Sequence, residues 1–187
     1  MITGGTFSLD TADDALHSNG DISISGGTYT IATGDDGIHA DNAVTITDCD
    51  LTIADSYEGI EGLSIDISGG TISVKASDDG LNAAGGADSS GFGGRGGDAF
   101  AVTDGACITI SGGTLTVDAD GDGLDSNGDL RITGGVTYVA GPTSGADSAL
   151  DCNGEAEITG GTFAATGTVG MASTFGDSST QASMLIA

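Results

Sequence analysis

The sequence contains no tryptophan, one proline and only three basic residues among its 187 positions. It has 28 acidic residues, so its formal net charge is −25. Binding to nucleic acid through phosphate needs lysine and arginine, and this composition therefore excludes it. An anionic membrane surface also repels such a chain. No apolar run reaches the roughly 18 residues of a membrane-spanning helix, so we expect no membrane insertion.

Cysteine is scarce and odd in number. The three residues Cys49, Cys107 and Cys152 cannot form a complete set of internal disulfides. They also fall at different places of the repeat described below, so we predict no bridge between them. The first five residues lack the basic and apolar regions of a signal peptide. Either the protein is cytoplasmic, or a signal sequence lies outside this chain.

What the sequence does have is aspartate and glycine. Of the acidic residues, 24 are Asp and 4 are Glu, and there are 35 glycines. Asp favours turns whereas Glu favours helices, so a helical protein is not expected. High charge and glycine content are typical of disorder. However, 37% of the residues are hydrophobic and they recur with a regularity that disordered chains lack.

The regularity is a repeat of about 22 residues. Its clearest mark is the motif Ile-Thr/Ser-Gly-Gly, followed in most copies by Thr and an apolar residue. The copies begin at Ile2, Ile24, Ile67, Ile110, Ile132 and Ile158, with a degenerate copy at Ile46. Apolar and polar residues alternate in short runs on both sides of the motif, which indicates half-buried strands.

Three short strands in every repeat predict an all-β fold, a parallel β-solenoid of about seven coils. An antiparallel sandwich fits the strand lengths. It gives no reason for one slot to hold the same kind of residue in every repeat, as at Phe7, Tyr29, Leu51, Ile72, Leu115 and Phe163. We expect one domain over residues 1–187, with a glycine-rich insertion at 85–105. The repeat is incomplete at both ends and residues 183–187 have the pattern of a strand, so both ends read as truncated.

Alignment of the repeats stacks polar residues into two rows. The first row consists of Asp14, Asp36, Glu58, Asp79 and Asp122, three of which follow a further acid at Asp13, Asp35 or Asp78. The second row consists of His17, His39, Glu61, Asn82, Asp125 and Asp151, and Asp41 lies two positions beyond it in one repeat. Carboxylates stacked about 5 Å apart repel each other by roughly 3 kcal/mol per pair.

Some of these carboxylates must therefore be protonated, bonded to backbone N–H groups, or bridged by a cation. Oxygen ligands from Asp, Glu and Asn suit Ca²⁺, and all thirteen acids and amides of the two rows and their flanks are candidate ligands. Turn chemistry alone is the alternative. The two histidines have no cysteine or further histidine nearby, so we expect no zinc site and interpret both as solvated members of the row.

The ordered strings Gly-Gly-Thr, Asp-Asp-Gly-Ile-His-Ala-Asp, Glu-Gly-Ile-Glu and Ser-Asp-Asp-Gly-Leu-Asn-Ala resemble a bacterial family of secreted carbohydrate-binding β-helix domains. Its fold is similar to that of right-handed, calcium-containing polysaccharide lyases. The resemblance implies a right-handed helix, bound Ca²⁺, an extracellular or cell-surface location, and cellulose or an acidic, polygalacturonate-like polysaccharide as partner. Asp35, Asp36, Glu58, Glu61, Asp78, Asp79 and Asn82 match its most typical positions.

Our main hypothesis is carbohydrate binding without catalysis. Tyr57, Phe92 and Tyr138 are the aromatic residues best placed to contact sugar, and Lys75 is a further contact. A lyase would need a base near a cation, and only Lys75 is close to an acidic pair. Two other functions stay open. The solenoid could assemble end to end into filaments through its edge strands, or bind ice through outward threonines.

Overall fold

Stacked coils form most of the described chain, which in this computed structural model covers residues 1–84 and 101–186. Each coil contributes one strand of five or six residues to a seven-stranded parallel sheet. The strands of this sheet, in spatial order, are β1 (Thr6–Thr11), β4 (Thr28–Thr33), β6 (Asp50–Asp55), β8 (Thr71–Ala76), β11 (Thr114–Ala119), β14 (Val136–Ala140) and β17 (Thr162–Thr166).

The other side of each coil belongs to a second parallel sheet built from two lines of shorter strands. In two coils one long strand serves both lines. The strands are β2 (Leu16–Ser18), β3 (Ile22–Ile24), β5 (Ile38–Ile46), β7 (Ile60–Ile67), β9 (Leu81–Ala83), β10 (Cys107–Ile110), β12 (Leu124–Ser126), β13 (Asp129–Ile132), β15 (Leu150–Cys152) and β16 (Ala156–Ile158). The predicted all-β parallel solenoid, with about seven coils, is confirmed.

The core is a column of aliphatic residues that runs through all the coils. Tyr29, Leu51, Ile72 and Leu115 pair in register and each is 1% exposed. The shared slot predicted from the repeat is therefore a core position. In the first coil Phe7 is half-buried and stacks on Tyr29 with 4.9 Å between ring centroids. Phe163 is also half-buried, because the last coil has a neighbouring coil on only one side.

The Gly-Gly pairs are needed because coils approach closely where the chain turns. A Cβ at Gly69 would lie 2.2 Å from the carbonyl oxygen of Thr47 in the preceding coil. The second glycine, Gly70, has a φ of 92°, which an L side chain rarely adopts. In the degenerate repeat, Asp48 and Cys49 replace the pair, and Cys49 is buried without positive φ. All three cysteines are free thiols.

Residues 168–186 form no strand but lie along the last coil. The N–H groups of Ser173 and Gly176 donate to the carbonyls of Leu150 and Ala156, and the hydroxyl of Ser179 accepts from the N–H of Ile158 at 3.0 Å. The strand expected at 183–187 is absent from residues 183–186. These contacts satisfy backbone groups at the edge of the last coil.

The structure describes only part of the glycine-rich insertion. Of the segment 85–105, residues 101–105 are irregular, and residues 85–100 lie outside the described part of the chain. Neither described segment contains a helix long and apolar enough to cross a membrane.

Candidate functional site

The acidic residues are placed by the turn between the seven-stranded sheet and the second sheet. At this turn most coils carry an acid followed by glycine. The glycine is required, because a Cβ at Gly59 would lie 2.2 Å from Val74 Cγ1 and 2.3 Å from the carbonyl oxygen of Gly80. This close stacking of backbone holds the acid of each coil directly against the equivalent acid of the next.

The first row (Asp14, Asp36, Glu58, Asp79 and Asp122) is a ladder of side chain to backbone hydrogen bonds. The N–H of Asp36 donates to Asp14 Oδ1 at 3.1 Å, and the N–H of Glu58 donates to Asp36 Oδ1 at 3.2 Å. The N–H of Asp122 donates to Asp79 Oδ1 at 2.7 Å. One oxygen of each of these aspartates thus serves the turn, as the alternative from turn chemistry predicts, while the other oxygen is left for another partner.

The second row also stacks as predicted. Its residues lie in register along the short strands: His17, His39, Glu61, Asn82, Asp125 and Asp151. The His17 and His39 rings stack at 5.0 Å with 9° between their planes. The expectation that both histidines are solvated is wrong for His39, which is 1% exposed because carboxylates surround it. His17, in the first coil, is exposed.

Together the rows form three groups whose ligand atoms all lie within 4.8 Å of one another. The N-terminal cluster is Asp13, Asp14 and Asp35; the histidine cluster is Asp36, His39 and Glu61; the oxygen cluster is Asp79, Asp122 and Asp125. The other predicted ligands Asp41, Glu58, Asp78, Asn82 and Asp151 flank these groups. The sequence did not single out His39 as a ligand, although its position between Asp36 and Asp41 was a usable signal.

A glycine lets carboxylates of the oxygen cluster lie close to the backbone of the next coil. Gly121 occupies the place that an acid holds in earlier coils, and a Cβ there would lie 2.5 Å from Asp79 Oδ1 and 2.7 Å from Asp78 Oδ1. Any larger residue would displace these carboxylates, so the glycine permits their close approach. Three carboxylates that converge in this way offer the hard oxygen ligands that Ca²⁺ requires, so the residues fit this ion.

Crowding and burial raise the pKa values of several carboxylates in these rows. Burial, followed by the charges of Glu61, Asp36 and Asp79, raises the pKa of Glu58 to about 10. Asn82 donates to both oxygens of Glu58, at 3.1 and 3.0 Å.

The same causes act in the neighbouring coils. Burial and the nearby carboxylate Asp125 raise the pKa of Asp79 to about 8. The pKa of Asp122 rises to about 6, mainly through burial. Burial also raises the pKa of Glu61 to about 8. A bound cation would displace these protons, because it stabilises the charged form.

The predicted sugar contacts separate into two places. Tyr138 is 48% exposed on the outer face of the seven-stranded sheet, and the exposed Lys75 lies on the same face two strands away. Tyr57 is 39% exposed beside the acidic turn, where a hydrogen bond to Asp78 and burial raise its pKa to about 12. Phe92 lies outside the described residues.

Hydroxyl groups cover much of the same outer face. Thr114 and Thr71 pair in register, as do Thr116 and Ser73, and all are exposed. The outward threonine lines continue into neighbouring strands but are interrupted by Asp50, Val136 and Tyr138. The face is therefore flat and polar, with one aromatic side chain projecting from it.

Comparison with known proteins adds one observation. Residues 1–37 match the model of a family described as "Carbohydrate-binding domain-containing protein". The resemblance stated from the sequence is confirmed over this stretch, which includes the first two copies of the Asp-Asp turn. No curated protein and no solved structure matches the chain.

Proposed function

We propose that this protein binds polysaccharide without cleaving it and that Ca²⁺ at the acidic turn supports the binding. The match of residues 1–37 to a carbohydrate-binding family carries the proposal. The matched stretch contains Asp13, Asp14, Asp35 and Asp36, and the structure repeats the same turn through the following coils.

The oxygen cluster is the favoured Ca²⁺ site. Asp79, Asp122 and Asp125 offer only oxygen, and Gly121 permits the close approach of Asp79. When bound, the ion would neutralise the crowded carboxylates and could accept a carboxylate of an acidic sugar. Such a bridging ion would offset the repulsion between this chain, with its charge of −25, and a negatively charged polysaccharide.

We propose the outer face of the seven-stranded sheet as the surface for an extended polysaccharide. Tyr138 can stack on a sugar ring because half of its surface is exposed, and rows of hydroxyls beside it can hydrogen-bond to sugar hydroxyls. Lys75 lies on the same face and supplies a positive charge for uronate groups. The protruding Tyr138 disfavours ice binding, which needs an uninterrupted flat array.

The arrangement of basic residues favours binding over lyase chemistry. Among the residues described, Lys75 has no carboxylate within the 4.0 Å of an ion pair, and Arg131 pairs with Asp129 on the second sheet, away from the acidic turn. A lyase base must meet the metal-bound uronate. From the family resemblance we also infer that the solenoid is right-handed and that the protein acts outside the cell or at its surface.

The test is a pull-down with cellulose and with polygalacturonate, each with Ca²⁺ or with EGTA. We expect retention on at least one polymer, and dependence on Ca²⁺ for the acidic one. Tyr138→Ala should weaken retention about tenfold while the matched variant Tyr57→Ala has little effect. Absence of binding to both polymers would overturn the proposal, and loss only with Tyr57→Ala would move the site to the acidic turn.

End-to-end assembly is the second candidate, because one observation favours it. The first-coil strands β1 and β2 have a neighbouring strand on one side only, and Leu9 and Leu16 at this end are only half-buried. Unpaired edges of this kind can recruit another chain. Sedimentation velocity over a range of protein concentrations tests it, since a concentration-independent monomer contradicts assembly.

A further inference from the structure

The histidine cluster differs from the other two acidic groups because it contains nitrogen and lies inside the protein. Asp36 and His39 are each 1% exposed and Glu61 is 8% exposed. His39 Nδ1 lies 2.5 Å from Glu61 Oε2 and 3.2 Å from Asp36 Oδ2. One atom from each of three side chains, contributed by two adjacent coils, therefore converges on a single point.

Asp36 and His39 also have contacts outside the cluster, while their converging atoms contact one another. Asp36 uses Oδ1 to accept the N–H of Glu58 at 3.2 Å, so Oδ2 alone faces His39. The His39 ring stacks on His17, whose Nδ1 in turn lies 2.7 Å from Asp14 Oδ2. The direction of Nδ1 is set by the two carboxylates that contact it, and both remain when His17 is replaced.

Two buried polar atoms beside the cluster have no hydrogen-bond partner: His39 Nε2 and Asn82 Oδ1. Asn82 is 7% exposed, pairs in register with Glu61, and has its amide nitrogen occupied by Glu58. A network built only for hydrogen bonding would satisfy such atoms, because leaving them unpaired costs free energy. Asn82 Oδ1, on the strand next to Glu61, is a ready additional oxygen ligand.

We propose that Asp36, His39 and Glu61 form a second metal site, distinct from the oxygen cluster, that takes a first-row transition ion such as Zn²⁺. Imidazole with carboxylates suits these ions, whereas Ca²⁺ prefers a larger all-oxygen shell. The expectation that the histidines make no zinc site considered them as a pair. The structure instead joins one histidine to two carboxylates.

Asp41 has the place of a positioning residue in this site. Its Oδ1 lies 3.5 Å from His39 Nε2, the nitrogen that carries the proton when Nδ1 binds a metal. Histidine ligands typically donate this second N–H to a carboxylate, which orients the ring and strengthens the metal bond. Asp41 thus faces the atom that is otherwise unsatisfied.

The chain supplies its own matched control, since it contains only two histidines. Zn²⁺ is titrated calorimetrically into the whole chain with Ca²⁺ in excess, so that oxygen-only sites are filled. We expect one Zn²⁺ per chain. His39→Gln should weaken binding more than tenfold, Asp41→Asn about tenfold, and His17→Gln less than twofold. Zn²⁺ binding that is absent in the wild type, or equal in both histidine variants, overturns the proposal.

A second measurement protects the test if His39→Gln does not fold. In His17→Gln only one imidazole remains, and its ring nitrogen resonances report on His39 directly. Zn²⁺ should shift the Nδ1 resonance far more than the Nε2 resonance, and a ring that is unperturbed overturns the site. The result is separable from polysaccharide binding, because neither measurement includes a sugar and the pull-down includes no Zn²⁺.

Discussion

Asp79→Asn should make the metal-free protein more stable at neutral and alkaline pH. The carboxylate of Asp79 accepts the N–H of Asp122 at 2.7 Å, and asparagine keeps an oxygen at that position. What the substitution removes is a group whose ionisation in the fold is opposed by burial and by Asp125, Asp78 and Asp122.

The direction and size of the effect follow from the pKa of Asp79, which burial and these neighbours raise from 3.8 to about 8. Between these values the unfolded chain has lost its proton and the folded chain retains it, so the free energy of unfolding falls as pH rises. One such group contributes a slope of up to about 1.4 kcal/mol per pH unit. Because Asp79 is half-buried and partly screened by solvent, we expect a net gain of roughly 2 kcal/mol near neutral pH.

The assay is urea unfolding in EGTA, followed by far-ultraviolet circular dichroism because the chain has no tryptophan. Wild type and Asp79→Asn should agree at about pH 4 and diverge steadily up to about pH 8. The control is Asp118→Asn, an exposed residue on β11, which should follow the wild type throughout. If Asp79→Asn and the wild type differ by the same amount at every pH, the reasoning is refuted.

Three further predictions concern the metal, the turn and a thiol. Ca²⁺ should raise the melting temperature more at about pH 8 than at about pH 5, because protons on Asp79 and Asp122 compete with the ion; a shift independent of pH would contradict this. Gly59→Ala should lower the free energy of unfolding by roughly 3 kcal/mol, since its Cβ would meet Val74 and Gly80, whereas Gly170→Ala, with nothing within 4 Å of the added Cβ, should have little effect in the same urea titration. Burial raises the pKa of the Cys49 thiol to about 11, so this cysteine should react with a thiol reagent only after unfolding; mass mapping that finds it labelled in the native protein would oppose this.

Much of the fold could be predicted because each coil of a solenoid repeats the same structural positions at a fixed spacing in the sequence. One coil uses about 22 residues, so every column of the structure recurs at that spacing. The motif that begins at Ile24 marks the same turn as the one that begins at Ile67, and the acids of the two rows stack as their alignment indicates. The strand expected at 183–187 is absent from residues 183–186, whose side chains are exposed.

The candidate site was less predictable, because alignment gives the row of a residue but not its surroundings. His17 and His39 are equivalent in the repeat, yet one is exposed and the other is 1% exposed. The first coil has a neighbour on one side only, whereas His39 lies against Glu61 of the following coil. Likewise, the alignment does not show that Asp78 and Asp79 of the preceding coil lie where a side chain at Gly121 would be.

The sequence by itself determined the coil, the rows and the sign of the charge, because a periodic chain specifies its own neighbours. It thereby predicted that nucleic acid is not a partner and aligned many of the acids in two rows along the solenoid. Only the tertiary structure decided which carboxylates converge, which are buried, and that a histidine lies among them. The physical reason is that stacking fixes backbone spacing at about 4.8 Å, whereas metal binding and pKa depend on side-chain directions and burial that differ from coil to coil.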